Sequence, residues 1–327
     1  MTLAAAAFAA GAQDEARACP SCGAGDAALL QQVMPRQQHL AYSGGDARIA
    51  ERLDELLPRR TEAYRMLQCR RCCLEFSDPL LAPSVDWYAT LYAHLNLYPA
   101  HRWEYGRVAD AMRAGDTVVD YGCGSGHFLE SIKARVRRVH GFDFSEAAVA
   151  QAMDHGIDAR VLDSEAEAPI ADLAGQAQHV VAFHVLEHLP DPAALFEFAS
   201  RVTTLAGQLW VAVPSDRRSS RRFGEPDALD GPPHHLTRWT EAAMRALGAR
   251  CGWNLVRHEY EPLATRLRVW ETTRRLALYR RMNSRSRPVT WAYRRALAAG
   301  VWLSWRHRRA DLSGFSMLAC FQRAQSS

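Results

Sequence analysis

The chain has 327 residues, 48 % of them hydrophobic and 23 % charged, with a formal net charge of +4. This composition excludes wholesale disorder and fibrous structure. The length fits one large core plus a small extra domain, and such a core can stand without disulfides.

The charge is unevenly spread. Residues 262–312 hold thirteen arginines against Glu271 and Asp311, so the rest of the chain is net acidic. Lys133 is the only lysine among 40 basic residues, an imbalance that fits genome composition better than function. The arginine cluster suits an anionic partner such as membrane lipid, a phosphorylated substrate or nucleic acid. No apolar run reaches the roughly 18 residues of a membrane span. The start, MTLAAAAFAAGAQDEARA, has no basic n-region, so 1–16 reads as a disordered tail and cytoplasm is the default compartment. Eight cysteines in that compartment point to metal binding or burial rather than disulfides.

Cys19-Pro-Ser-Cys22 and Cys69-Arg-Arg-Cys72 are two CxxC pairs, and Cys73 adjoins the second as a spare ligand or a buried thiol. A CxxC turn presents two sulfurs to one ion, and two such turns close a tetrahedral site. The expectation is a structural Zn²⁺ held by Cys19, Cys22, Cys69 and Cys72 in a zinc-ribbon-like domain over 17–83. Iron–sulfur binding is the alternative. Four thiolates leave no open position for catalysis. Between the pairs, 46–57 has helical apolar spacing at Ile49, Leu53, Leu56 and Leu57 and supplies an inserted subdomain. Residues 74–83 read as a short strand and a Pro-bounded exit. Residues 84–115 read as a helical connector rich in aromatics, including Trp87, Tyr88, Tyr92, Trp103 and Tyr105.

From 116 the pattern alternates strand and helix. Strands are expected at 117–121, 138–143, 158–162, 179–184 and 208–213, with helices at 126–136, 145–153, 191–204 and 240–250. Two more strands follow, at 253–260 and 315–322. Such alternation implies a doubly wound, mostly parallel sheet. The first strand runs into Asp120-Tyr121-Gly122-Cys123-Gly124-Ser125-Gly126 and then a helix. Glycines permit a sharp turn and close approach to a ligand, and the helix start offers free N–H groups. A tight turn alone would also use such glycines. Seventeen residues past Gly126, the next strand ends in Asp143, where a carboxylate can accept both hydroxyl protons of a ribose.

These residues resemble class I S-adenosylmethionine-dependent methyltransferases. DYGCGSGHF matches the first motif, GFDFS the second and FHVLEHLPDP the fourth-strand signature, with GPPHHLTRWT at 231–240 and the last strand FSMLACFQ also similar. The resemblance covers about 116–261 and 313–323, and the core domain it implies runs over 116–261 and 313–327. It implies an α/β, doubly wound, seven-stranded Rossmann-like sheet with a reversed last strand, bearing the small N-terminal zinc-ribbon-like domain and a helical insert near the C-terminus. By the same resemblance Asp120, Gly122, Gly124 and Gly126 cradle the methionine part of S-adenosylmethionine. Asp143 holds the ribose, Phe144 flanks the adenine, and Asp163 meets the adenine amino group, although DSEAEA at 163–168 is an indifferent match.

His184, Glu187 and His188 end the fourth core strand as H-x-x-E-H. A histidine titrates in the range a general base needs, so His184 or His188 is the expected base. The same residues could instead brace the next helix or, as in the E-x-x-E-H of ubiquinone-type O-methyltransferases, bind a cation. His234 and His235 follow two stiffening prolines, as second-choice base or substrate-binding residues or as part of a rigid turn that Thr240 ends by capping a helix. The insert 262–312 reads as two helices, 265–282 and 289–309, with Trp270, Trp291, Trp302 and Trp305 among arginines. That pattern fits a hairpin packed on the sheet, peripheral membrane contact or, less well, nucleic acid. The expected reaction is O-methylation of a sugar, glycan-linked or small-metabolite acceptor. The alternatives are RNA methylation and a cofactor-binding scaffold without chemistry.

Overall fold

A computed structural model describes residues 18–58, 62–95, 100–163, 166–218, 220–221, 227–263, 291, 295–296, 299 and 312–324. The expected tail over 1–16 and nearly all of the expected insert over 262–312 lie outside them.

The chain divides into two compact units. The larger comprises Met1–Pro214, Asp227–Glu259 and Met317–Ser327, and the smaller Ser215–Pro226 and Tyr260–Ser316. In the smaller unit, Glu261 organises the described backbone. Its N–H donates to Ser316 O at 2.9 Å, its carbonyl accepts from Gly314 N at 2.8 Å, and its Oε2 accepts from Ser316 N at 3.0 Å.

The larger unit contains two sheets. The first joins β1 (Ala27–Val33), β2 (Tyr64–Cys69), β3 (Glu75–Asp78) and β9 (Thr237–Arg238) in that order. Between β1 and β2 lie α1 (Pro35–Tyr42) and α2 (Ala47–Glu55). Asp46 starts α2 by accepting from Arg48 N. β9 pairs antiparallel with β3, Thr237 opposite Phe76 and Arg238 opposite Glu75, so a segment from the far part of the chain completes the small N-terminal sheet. Arg238 Nη1 reaches Glu75 Oε2 at 2.9 Å, and Ser77 N donates to Leu236 O at 2.8 Å.

The second sheet has seven strands in the order β10-β11-β8-β7-β4-β5-β6. They are β4 (Thr117–Tyr121), β5 (Arg138–Asp143), β6 (Asp158–Val161), β7 (Ala177–Phe183), β8 (Thr203–Pro214), β10 (Trp253–Tyr260) and β11 (Ser316–Arg323). The run from β8 to β6 is parallel throughout. Strand order reverses between β4 and β7, and open α/β sheets bind ligands beyond the carboxyl ends of their strands at such a point. Helices α5 (His127–Ile132), α6 (Glu146–Asp154), α7 (Glu167–Asp172), α8 (Ala193–Val202) and α9 (Glu241–Arg250) flank it. Ser145 caps α6 and Thr240 caps α9 through their side-chain oxygens.

One apolar core joins Val118, Phe128, Leu129, Val181, Phe183 and Trp210. A second joins Tyr42, Leu53, Trp87 and Leu91, with Tyr88, Tyr92 and Leu229 packed against it. It binds α1, α2 and α3 (Val85–Leu95) into one block and sets two tyrosines beside the histidines described below. Helix α4 (Trp103–Ala109) follows α3 and carries the buried Glu104.

Candidate active site

β4 ends in a loop built on left-handed backbone. Gly122, Gly124 and Gly126 have φ of 82°, 53° and 80°. A Cβ at Gly122 would stand 2.3 Å from Val185 Cγ2, so this glycine is required by space as well as by backbone. The same contact shows that the turn after β7 lies directly on the glycine loop. Asp120 is buried, and burial pushes its carboxyl well above the usual range, with the charge of Asp143 adding to the effect. Its Oδ1 is buried without a hydrogen bond. Asp143 Oδ2 accepts from Gly124 N at 2.8 Å and Oδ1 from Ser145 N at 2.9 Å. Burial raises this carboxyl too, against the opposing pull of those amides. The Phe144 ring meets Tyr121 edge-on at 6.1 Å.

The loop glycines, Asp120, Asp143 and Phe144 thus gather at the adjoining ends of β4 and β5. A buried carboxyl with an unmet acceptor and a bent, glycine-rich loop fit a positively charged, nucleoside-bearing ligand such as S-adenosylmethionine. Asp163 follows β6, next to Leu162, whose N–H donates to Asp143 O at 2.7 Å. It is exposed beyond β6, and its carbonyl accepts from Ala166 N at 3.3 Å.

β7 delivers the opposite half. His184 has φ 57°, and its N–H donates to Ala212 O at 2.8 Å. Its Nε2 lies 2.9 Å from Glu104 Oε1, and its Nδ1 lies 3.3 Å from Glu187 Oε1. Both carboxylates are 1 % exposed. Burial alone would push His184 down, but the two carboxylates outweigh it and raise it. Burial likewise opposes ionisation of Glu187, yet His184 holds this carboxyl down to about 2. Glu104 is lowered, its burial outweighed by the bond to His184. His184 therefore has a carboxylate facing each ring nitrogen, an arrangement that favours its protonated form and holds the ring in place.

His188 lies on the 3-10 turn Leu186–His188. Burial pushes it down to about 4, so it is neutral at physiological pH. His234 is buried and lies well below its usual range for the same reason, with the charge of His235 second. Leu236 N donates to Glu187 O at 2.8 Å, which brings the loop carrying His234 and His235 onto the turn carrying His188. Tyr88 and Tyr92 pack edge-on against His188 and His234, with centroids 5.4 Å and 5.8 Å away. The Tyr88 hydroxyl donates to His234 O at 3.4 Å and lies 3.5 Å from His188 Nδ1.

The four cysteines of the CxxC pairs converge. Sγ of Cys19 lies 3.6 Å from that of Cys72, and Sγ of Cys22 lies 3.5 Å from that of Cys69. A tetrahedral zinc with bonds of about 2.3 Å needs sulfur–sulfur edges near 3.8 Å, so the set fits one ion. The Cys19–Cys72 hydrogen bond raises Cys19 and lowers Cys72, so this pair shares a proton that an ion would displace. The two turns are alike. Gly23 N donates to Cys19 O and Cys73 N to Cys69 O, with φ of 74° at Gly23 and 60° at Cys73. Cys73 lies outside this converging set and is not buried. It is exposed and occupies the left-handed position that a glycine fills in the first turn. Ser21 Oγ donates to Ala243 O at 2.7 Å, and Thr240 Oγ1 donates to Cys72 O at 3.2 Å, so both turns rest on the start of α9.

Sequence reasoning missed Glu104 and Asp230. Glu104 sits 80 residues before His184, inside an aromatic stretch that reads only as helix. Asp230 Oδ1 faces His235 Nδ1 at 3.4 Å from within a short 3-10 turn. Tyr88 and Tyr92 stood out by composition alone.

The strand order and the switch-point loop define a class I methyltransferase architecture. The family described as "Methyltransferase domain" matches residues 74–258, more than half of the chain, and the chain belongs to that family. Among curated proteins, it is 34 % identical over 103 residues to the ubiquinone biosynthesis O-methyltransferase of Pseudomonas paraeruginosa (strain DSM 24068 / PA7), covering 30 % of this chain and 44 % of that protein. It is 31 % identical over 114 residues to the Bordetella pertussis (strain Tohama I / ATCC BAA-589 / NCTC 13251) protein of the same name, covering 34 % and 46 %. The chain thus spans less than half the length of these relatives. Among solved structures, an S-adenosylmethionine-dependent methyltransferase from Archaeoglobus fulgidus aligns at 16 % identity and TM-score 0.43, over 67 % of this chain and 91 % of that one. Magnesium protoporphyrin IX methyltransferase from Synechocystis PCC 6803 aligns at 16 % identity and TM-score 0.44, over 71 % and 88 %.

Proposed function

We propose that this chain transfers a methyl group from S-adenosylmethionine to a hydroxyl oxygen of a small metabolite or glycan-linked sugar. The contact between Gly122 and Val185 carries the reading, because it sets the cofactor loop against the turn bearing His184, Glu187 and His188. The ubiquinone biosynthesis O-methyltransferases it resembles over about a hundred residues support oxygen as the acceptor atom. S-adenosylmethionine supplies an electrophilic methyl group on a sulfonium. Asp143 holds the ribose through its two oxygens, and the glycine loop accommodates the methionine part. Methyl transfer is an in-line displacement that depends first on alignment. The Glu104–His184–Glu187 clamp fixes the turn that sets this alignment. The imidazoles of His188, His234 and His235 form the acceptor side. The four cysteines hold a structural Zn²⁺ that fixes the N-terminal sheet to β9 and α9.

The test is methyl transfer from tritiated S-adenosylmethionine into fractionated extract of the source cells. Label in small molecules, glycan or lipid is expected. Label confined to an RNase-sensitive pool would overturn the acceptor class and favour an RNA substrate. One chelator-resistant zinc per chain, lost in Cys69→Ser, is expected by elemental analysis; a folded, active, metal-free protein would overturn the zinc assignment.

A further inference from the structure

His188, His234 and His235 come together from two segments 46 residues apart. The His188 ring centroid is 4.8 Å from that of His234 and 4.9 Å from that of His235, and the last two rings stack at 4.4 Å. One ligand atom from each histidine lies within 4.8 Å of the other two.

The hydrogen bonds identify the ring nitrogen on offer. His188 Nδ1 is 2.6 Å from His234 O, and His234 Nδ1 is 2.8 Å from Leu229 O. A carbonyl oxygen only accepts, so in both rings Nδ1 carries the proton and Nε2 the lone pair. His235 Nδ1 faces the Asp230 carboxylate, which Arg238 Nε holds from the other side at 3.4 Å. The Nε2 atoms of His188 and His234 are thereby left as acceptors, and in His235 the Asp230 carboxylate takes Nδ1 and leaves Nε2 as the nitrogen on offer. The Tyr92 hydroxyl lies 3.4 Å from His234 Nε2. Each imidazole donating its other N–H to a carbonyl or carboxylate is the outer-shell arrangement of metal-binding histidines. Glu187 adds a buried carboxylate beside the cluster, its Oε1 3.3 Å from His184 Nδ1.

We infer that His188, His234 and His235 bind one divalent first-row transition ion of the zinc type through their Nε2 atoms, at a site separate from the four cysteines. Three imidazoles select zinc, cobalt, nickel or ferrous iron over magnesium and calcium, which take oxygen ligands. Three protein ligands leave a coordination position open. His184 is outside the set, because Glu104 and Glu187 occupy both its nitrogens.

Cobalt(II) titration of the full chain under anaerobic conditions tests this, with the metal alone as probe. Two equivalents per chain are expected. The first should bring thiolate-to-cobalt charge-transfer absorption, and the second only weak ligand-field bands. His188→Gln and His235→Gln should each lose the second equivalent and keep the first, which also reports that the variant is folded. A second equivalent that survives in both variants would lie elsewhere, for instance at His127, Glu130 and His155, and would overturn the assignment. Should a variant lose both equivalents through unfolding, X-ray absorption on the zinc-saturated native protein decides. Nitrogen scatterers beside sulfur support the site; sulfur alone at one zinc per chain overturns it.

Discussion

The two halves of the proposed active site are built in opposite ways. The cofactor half is local: β4, its glycine loop and the end of β5 supply Asp120, Gly122, Gly124 and Asp143 from 24 consecutive residues, and the Asp143–Gly124 bond joins its ends. The acceptor half is assembled from four distant segments: Tyr88 and Tyr92, Glu104, the turn 184–188 and the loop 228–236. The first half depends on backbone shape, and the second on buried charges and protons that satisfy one another. Damage to the first should therefore appear as lost cofactor affinity. Damage to the second should appear as lost stability and turnover with cofactor affinity intact.

Gly122→Ala should have the largest effect, because Gly122 is where the halves touch. The left-handed backbone costs about 1–2 kcal/mol for a residue with a Cβ, and forcing that Cβ against Val185 adds about 1–3 kcal/mol. Urea unfolding and calorimetry should show stability and cofactor affinity falling together. Glu104→Ala should cost about 3 kcal/mol, since it strips one partner from a buried pair. Its cofactor affinity should stay within about twofold of the parent, on the order of 0.4 kcal/mol. A larger loss of affinity would mean that the clamp supports the cofactor loop as well, and the division into halves would fail.

The acceptor half also predicts a pH response. His188 is pushed down to about 4 by burial, and His234 lies well below the usual value of 6.5. Between those values the unfolded chain takes up protons that the folded chain refuses. Stability of the metal-free protein should thus fall as pH drops from 6.5 toward 4, by up to about 3 kcal/mol for His188. His184 works the other way. Its folded value is raised, so its contribution is complete below 6.5 and is lost as pH rises through the folded value. Unfolding midpoints should therefore peak near neutrality. A flat acid limb in chelator-treated protein would sink the burial argument for His188 and His234.

The same contrast explains what was legible in the sequence. β4, β5 and β10 match their expected ranges, because period, turn residues and caps are local signals. The CxxC pairs and the glycine loop were legible for the same reason. β1, β2 and α1 were not, since 27–42 and 64–69 carry no clean periodicity and draw their order from pairing and from the second core. β9 is two residues long and exists only because β3 offers it an edge. His184 was found by motif, but its partner Glu104 is fixed by tertiary packing alone. His184 consequently looked like a free base, because nothing in the sequence signals the Glu104 carboxylate that faces its Nε2.

Asp143→Ala is the complementary test of the cofactor half. Losing charge-assisted hydrogen bonds to a ribose should cost about 1.5–3 kcal/mol of cofactor binding, tenfold or more in affinity. Turnover at saturating cofactor should fall less than in Glu104→Ala. Unchanged calorimetric affinity would remove Asp143 from the ribose and leave it as the staple for Gly124 and Ser145.

A control outside both halves completes the set. Cys73 is exposed at φ 60°, the position Gly23 fills in the matching turn. Cys73→Gly removes left-handed strain of about 1–2 kcal/mol and adds an unfolded-state cost of about 0.5–1 kcal/mol, for a net gain near 0.5–1 kcal/mol. The unfolding midpoint should rise while cofactor affinity, turnover and metal content stay constant. A loss of tightly held zinc in this variant would make Cys73 a working ligand in place of one of the four converging cysteines. A higher midpoint with unchanged chemistry would show that stability can be moved without touching either half, which the readings of Gly122→Ala and Glu104→Ala require.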